Sequence, residues 1–91
     1  MNGKITTIKE LIKEGKPDMA IKQLNAYIQS DPTHDEPYYL LGNAYRKQGN
    51  WQLALNNYLE AIERNSESPA VQAHQMMMDI LNFYNKDMYN Q

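Results

Sequence analysis

The sequence predicts an all-α fold of five helices, arranged as two similar helix pairs followed by one final helix. The first observation behind this prediction is an internal period of 34 residues, which superimposes Gly15 on Gly49 and Ala20 on Ala54. The second is the recurrence of apolar residues three and four positions apart, which is typical of amphipathic helices. A fixed period of this length marks a protein built from stacked repeats.

Length and composition limit the chain to one small domain. Its 91 residues suffice for a single core, and 42% hydrophobic and 22% charged residues are ordinary for a folded soluble protein. A formal charge of −2 does not favour nucleic acid or a membrane surface as partner. The chain has no cysteine, so disulfides and thiolate metal sites are excluded. Without a recognisable signal peptide or membrane-spanning run, we expect a cytoplasmic protein.

The first repeat unit is predicted over about residues 1–34. Gly15 interrupts its helical pattern, and Pro17 suits the first turn of a following helix because proline lacks an amide donor that would go unpaired there. The apolar faces of the two helices consist of Ile5, Ile8, Leu11 and Ile12, and of Ala20, Ile21, Leu24, Tyr27 and Ile28.

The second unit is predicted over about residues 35–68. Asp35 and Glu36 place negative charge at the positive end of its first helix. Gly49 suits a left-handed residue that ends this helix, and Asn50 suits the cap of the next one. The apolar faces consist of Tyr38, Leu41, Gly42 and Tyr45, and of Trp51, Ala54, Leu55, Tyr58, Ala61 and Ile62.

Two of these apolar positions hold very small residues, Gly42 and Ala54. We interpret them as sites where the backbone of the partner helix approaches closely. Tyr45, Trp51 and Tyr58 are then expected to fill the space beside the close contact.

A last helix is predicted over about residues 69–85, with a tail at 86–91. Apolar residues occupy about 220° of its surface, whereas packing on one neighbour requires about 100°. The polar stripe of this helix consists of Gln72, Gln75, Asp79, Asn82 and Lys86. We expect Val71, Met78 and Leu81 to pack on the preceding helix. The apolar side chains that remain uncovered are then Met77, Ile80 and Tyr84. The folded-back tail, a second chain or a partner segment would cover the remaining apolar surface.

The residues Tyr38-x2-Leu41-Gly42-x2-Tyr45, followed by Gly49, Ala54, Tyr58 and Ala61, carry a family pattern. They resemble the tetratricopeptide repeat (TPR) family, whose pattern is W-x2-L-G-x2-Y followed by G, A, F and A. The first unit matches less well, with Ile8 in the place of Gly42, so we expect looser packing there. Over about residues 4–84 the chain looks like a small stand-alone bacterial TPR protein. The resemblance implies two repeat units and a C-terminal solvating helix in a right-handed array.

The same resemblance implies a non-catalytic adaptor that binds a protein or peptide in a concave groove lined by the first helix of each unit. The groove residues it implies are Lys9, Lys13, Tyr39, Asn43, Arg46, Lys47, Met77 and Ile80, with Asn2, Ile5, Ile12, Glu36, Ala70, Ala73 and Leu81. Because four of them are basic, we expect the groove to prefer acidic segments. Asn43 is expected to bond a peptide backbone through both its donor and its acceptor.

The sequence contains no pattern that indicates catalysis. His34 and His74 are far apart, and no metal-binding, phosphate-binding or nucleophile motif is present. We therefore expect neither enzymatic activity nor a cofactor or metal. The alternative to the adaptor is a structural self-association module, a homodimer formed through the methionine-rich last helix.

Overall fold

A computed structural model describes the backbone of residues 2–89 and the side chains of residues 3–83. The helices are α1 (Asn2–Lys13), α2 (Pro17–Ser30), α3 (Asp35–Gln48), α4 (Trp51–Arg64) and α5 (Ala70–Tyr89). The described residues contain no β-strand, and each helix packs on the next one along the chain. This confirms the predicted all-α array of two helix pairs and a final helix.

The same backbone turn ends α1 and α3. Gly15 and Gly49 adopt φ values of 79° and 82°, a left-handed conformation that side chains disfavour. After Gly49, the amide of Asn50 bonds to the carbonyl of Tyr45 at 2.9 Å, and Lys16 bonds to Leu11 at 2.8 Å in the same way. The Asn50 side chain also accepts a hydrogen bond from the Leu53 amide at 3.2 Å, which confirms the predicted cap of α4.

The core consists of two clusters of buried side chains that meet at α3. The first contains Ile5, Ile8, Ile12, Ala20, Leu24, Leu40, Leu41 and Ala44. The second contains Tyr38, Ala54, Tyr58, Ala61, Ala70 and Met77. Because α3 contributes to both clusters, it connects the first helix pair to α4, and α4 in turn packs on α5.

The contact between α3 and α4 is the most extensive in the chain, and Gly42 is the reason it is close. A Cβ atom at Gly42 would lie 2.3 Å from Cε1 of Tyr58, well inside van der Waals contact. Our expectation that backbone approaches Gly42 is therefore corrected, since the neighbour is the Tyr58 ring. This ring is fully buried and has little freedom to move aside.

Trp51 does not belong to the core, contrary to the sequence interpretation. Its side chain is 41% exposed, although Ala54 and Tyr58 of the same helix are fully buried. Trp51 is the first residue of α4 and therefore stands at the end of the helix pair, where fewer neighbouring side chains reach it.

The orientation of α5 also differs from the prediction. Ala70, Ala73 and Met77, spaced three and four positions apart, face the second cluster, and Met77 is 1% exposed. Val71 is 42% exposed, because consecutive helical residues point about 100° apart and its neighbour Ala70 takes the core position. Met78 and Leu81 are half-buried.

The helix α5 continues to Tyr89, beyond the predicted end near residue 85. No glycine or proline follows Pro69, so the sequence provides no residue that would stop the helix at the expected position. Residues 86–89 therefore extend α5, and they do not form a tail that folds back. The side chains of Asn2 and Tyr84, which entered our sequence expectations, lie outside the described side chains. None of the helices described here is long and apolar enough to cross a membrane.

A polar face on α5 occupies the place where a further helix would pack. After the shift of 34 residues, the positions of Tyr38, Leu41 and Tyr45 are taken by Gln72, Gln75 and Asp79. All three are exposed, and the Gln75 amide donates a hydrogen bond to Asp79 at 3.0 Å. The apolar contact that joins α3 to α4 consequently has no counterpart on this face of α5.

A cluster of polar contacts joins the α2–α3 turn to α4. The carbonyl of Pro32 accepts hydrogen bonds from the Tyr38 hydroxyl at 3.3 Å and from Nε of Arg64 at 2.6 Å. The Arg64 guanidinium also lies 4.0 Å from the centre of the Tyr38 ring. These contacts hold the loop between the repeat units against the second unit.

The close contact at Gly42 yields a stability prediction. We expect Gly42→Ala to lower the free energy of unfolding by about 1–3 kcal/mol, because the added methyl group overlaps the buried Tyr58 ring. Gly3→Ala is the matched control, since nothing lies within 4 Å of the added atom. Chemical denaturation measures both; a Gly42→Ala variant as stable as the control would contradict the assigned contact.

Candidate functional site

Two clefts lie on the face formed by α1 and α3, and Lys9 and Tyr39 line both of them. The first cleft has a volume of about 360 Å³ and the second about 340 Å³. The first is lined by Lys9, Ile12, Lys13, Tyr39, Leu40 and Asn43. The second is lined by Lys9, Asp35, Glu36, Tyr39 and Pro69. Lys9 and Tyr39 are among the groove residues that the resemblance implies.

The structure brings half of the eight predicted groove residues together. The four that line the first cleft are Lys9, Lys13, Tyr39 and Asn43. Arg46 and Lys47 are exposed in the last turn of α3, the helix that supplies Asn43. The prediction that Met77 lines the groove is wrong, because Met77 is buried in the second core cluster and is not available to a ligand. Ile80 is exposed on α5 and lines neither cleft.

Lys9 is already engaged by a carboxylate. Its ammonium lies 3.2 Å from Oε2 of Glu36, and both side chains are about half exposed. This ion pair reduces the positive charge that we expected Lys9 to give the groove. Within the described residues, no ion pair holds Lys13, Arg46 or Lys47, which therefore carry the excess positive charge.

Asn43 is oriented from behind by a buried tyrosine. The Tyr58 hydroxyl donates a hydrogen bond to Oδ1 of Asn43 at 2.5 Å. The Tyr58 ring is held in turn by Gly42 below it and by the Tyr39 ring, whose centre lies 6.0 Å away at an interplanar angle of 38°. Tyr58 occupies one of the two lone pairs of the Asn43 oxygen, and the expectation that Asn43 bonds a peptide backbone stays a prediction.

The side chain of Asn43 lines the first cleft and keeps its amide nitrogen outside the bond with Tyr58. Asn43 is half-buried, and the hydrogen bond from Tyr58 engages its oxygen. No buried side-chain nitrogen or oxygen in the described part of the chain lacks a hydrogen-bond partner. The amide nitrogen therefore meets solvent, and its two N–H groups are free to donate to a bound molecule.

Burial behind the cleft raises the pKa of Tyr58 from its ordinary value of 10.0 to about 12. Burial disfavours the charged phenolate, the nearby Arg46 guanidinium partly offsets this effect, and Tyr39 adds to it. Tyr58 is therefore a neutral hydrogen-bond donor at physiological pH.

Sequence reasoning assigned Tyr58 to packing and missed its polar contact. The available signal was general: a buried tyrosine hydroxyl normally requires a hydrogen-bond partner. The partner itself lies 15 residues earlier on another helix, so only the tertiary structure identifies it.

The first cleft combines ammonium and amide donors with the apolar surfaces of Ile12 and Leu40. Among the described residues, no group of three or more histidine, aspartate or glutamate side chains is placed to hold a metal ion.

Comparison with known proteins gives one family and one solved structure. The model of the family described as tetratricopeptide repeat matches residues 36–68, which correspond to the second unit. The solution NMR structure of Bacteroides fragilis protein BF1650 is 61% identical, with a TM-score of 0.85, over 96% of this chain and 89% of that one. A search of curated proteins gave no significant match.

The raised pKa of Tyr58 predicts how stability depends on pH. Because folding favours the neutral phenol, the contribution of Tyr58 to the free energy of unfolding is complete below pH 10.0. This contribution is lost as the pH rises towards 12. We expect the wild type to lose free energy of unfolding in this window and Tyr58→Phe to lose less. The difference in tyrosinate absorbance between the two proteins should show one phenol with a midpoint near pH 12; a midpoint at 10.0 would contradict the buried assignment.

Proposed function

The chain belongs to the tetratricopeptide repeat family, and on this premise we propose that it is a non-catalytic adaptor that binds a protein or peptide segment in the first cleft. The observation that carries the proposal is the convergence of Lys13, Asn43 and Tyr39 from two helices on one open cleft. Apolar surface for side chains adjoins donors for a peptide backbone there, a combination that suits an extended segment.

We propose further that the adaptor prefers acidic segments. Lys13 lies in the last turn of α1, and Arg46 and Lys47 lie in the last turn of α3. This part of the surface is therefore basic in a protein with a net charge of −2. Local positive charge attracts acidic ligands and increases their rate of association.

The acidic preference is tested by charge reversal. The probe is a fluorescein-labelled peptide of alternating glutamate and leucine, titrated with the protein while anisotropy is measured. We expect the double variant Arg46→Glu with Lys47→Glu to weaken binding about tenfold or more, because two attractions become repulsions. Raising the salt concentration should weaken wild-type binding, because salt screens exposed charges.

Lys22→Glu is the matched control, since Lys22 is exposed on α2 and lines neither cleft. It should bind the peptide like the wild type. If the affinity for the peptide is unchanged at high salt and in the double variant, the proposed preference for acidic segments is wrong.

A second candidate function is self-association through α5. Met76, Ile80 and Phe83 recur at intervals of four and three residues, so they lie on one side of this helix. Their exposed fractions are 57%, 42% and 74%. This stripe replaces the set containing Met77 that the sequence suggested. In a symmetric dimer, each copy would cover the apolar stripe of the other copy.

The mass in solution decides on this alternative. If α5 mediates dimerisation, the wild type should exceed the single-chain mass of 10.6 kDa at micromolar concentration. Met76→Ser with Ile80→Ser should lower that mass, because each change removes about 1–2 kcal/mol of apolar burial. Val71→Ser is the control, since Val71 is as exposed as Ile80 but lies on another side of α5. A wild type of single-chain mass at every concentration excludes the dimer.

A further inference from the structure

A third cleft lies at the turn between α4 and α5 and has a volume of about 420 Å³. Its lining residues are Ser66, Glu67, Ser68, Pro69, Val71 and Gln72. It shares no lining residue with the first cleft and shares Pro69 with the second. The third cleft is therefore a surface separate from the one to which the adaptor function was assigned.

The turn that forms the third cleft has the same backbone as the turn between α2 and α3. Asp31 and Asn65, which end α2 and α4, have φ values of −153° and −152° and ψ values of 91° and 103°. Each accepts a hydrogen bond on its side-chain Oδ1 from the amide two residues later, at 3.2 Å in the first turn and 3.0 Å in the second. The shift of 34 residues therefore places the carbonyl of Ser66 in the position of the Pro32 carbonyl.

In the earlier turn, an arginine side chain packs against the equivalent surface. Nε of Arg64 donates a hydrogen bond to the Pro32 carbonyl at 2.6 Å, and its guanidinium lies 4.0 Å from the centre of the Tyr38 ring. One repeat later, the places of Pro32 and Tyr38 are taken by Ser66 and Gln72, and both of these line the third cleft. The protein thus contains an internal example of the group that this surface accommodates.

The third cleft offers more negative charge than its counterpart. Glu67 stands in the place of Thr33 and adds a carboxylate to the lining. Glu67 lies outside every ion pair of the described residues, and no basic side chain is among the described lining residues. Within the described part of the chain, no hydrogen bond reaches the carbonyl of Ser66. Both acceptors are therefore available to a positively charged ligand.

A guanidinium suits this pair of acceptors better than an ammonium does. It carries five N–H donors in one plane, so it can bond a carboxylate and a carbonyl at the same time. Arg64 does so in the earlier turn, where it bonds the Glu60 carboxylate at 2.8 Å as well as the Pro32 carbonyl. Lysine has a compact charge without this planar arrangement of donors.

We propose that the third cleft binds an arginine side chain of a partner protein, with the Glu67 carboxylate and the Ser66 carbonyl as its acceptors. This inference goes beyond the proposed function, because it adds a second binding site of opposite charge preference on another surface. The occupant follows from the charge of the lining and from the internal example of Arg64. An adaptor with both sites would hold an acidic segment in the first cleft and a basic one in the third.

The test is a titration of the ¹⁵N-labelled protein followed by NMR. The probes are blocked five-residue peptides with a central arginine, lysine or citrulline, the last being a neutral side chain of nearly the same shape as arginine. The arginine peptide should shift the backbone amide signals of Glu67, Ser68 and Gln72. We expect it to bind about threefold or more tightly than the lysine peptide and about tenfold or more tightly than the citrulline peptide.

Three variants locate the binding site. Glu67→Gln should weaken binding of the arginine peptide about threefold or more, because it removes the charged acceptor. Gln72→Tyr supplies the ring that Arg64 meets at Tyr38, so it should strengthen binding about threefold. Glu63→Gln is the matched control, since Glu63 is an exposed acid of α4 that lines none of the three clefts. It should bind the peptide like the wild type.

The proposal is wrong if no peptide binds the wild type, or if arginine and citrulline peptides bind equally. Equal weakening by Glu63→Gln and Glu67→Gln would also overturn it, because general attraction to acidic surface would then explain the binding. If the signals change with protein concentration and Arg46→Ala removes the change, the occupant is a second copy and the assignment to a partner protein is wrong. None of these results affects the first cleft, which is tested with the acidic peptide. Circular dichroism checks the fold of each variant.

Discussion

The structure depends on one contact, in which the Tyr58 ring of α4 lies directly on Gly42 of α3. Only a residue without a side chain leaves room for it, since a Cβ atom would come within 2.3 Å of the ring. This contact sets the spacing of the pair, and α3 in turn contributes to both core clusters. The left-handed turn at Gly49 and the cap at Asn50 allow the two helices to meet at this distance.

The same tyrosine connects packing with the candidate site. Its ring is part of the core, and its hydroxyl reaches Asn43 at the surface of the first cleft. A residue needed for the close helix pair is thus also bonded to a side chain that lines the cleft. The basic side chains around it come from the last turns of α1 and α3, where positive charge is favourable for the helix as well.

At the other end of the array, α5 both completes the core and ends the repeat. Its inner face supplies Met77 and Ala70 to the second cluster. Its Gln72, Gln75 and Asp79 replace the apolar residues to which a further helix would bind. A solenoid requires such a polar terminal face because each unit otherwise exposes an apolar surface.

Most of the fold could be predicted from the sequence because its signals are local or periodic. The 34-residue period, the apolar spacing, the glycine turns and the Asn50 cap each act within a few residues or repeat along the chain. They determined the five helices and their pairing. The groove face that carries Lys9, Lys13, Tyr39 and Asn43 was implied by the family resemblance.

Only the tertiary structure decided how α5 is rotated, why Gly42 is small and what Tyr58 bonds. The apolar arc of α5 is so broad that periodicity allows several orientations, so packing alone placed Met77 inside and Val71 outside. The contacts of Tyr58 with Asn43 and of Arg64 with Pro32 join residues 15 and 32 positions apart. Such contacts depend on where side chains meet in space, and residue spacing along one chain does not specify that.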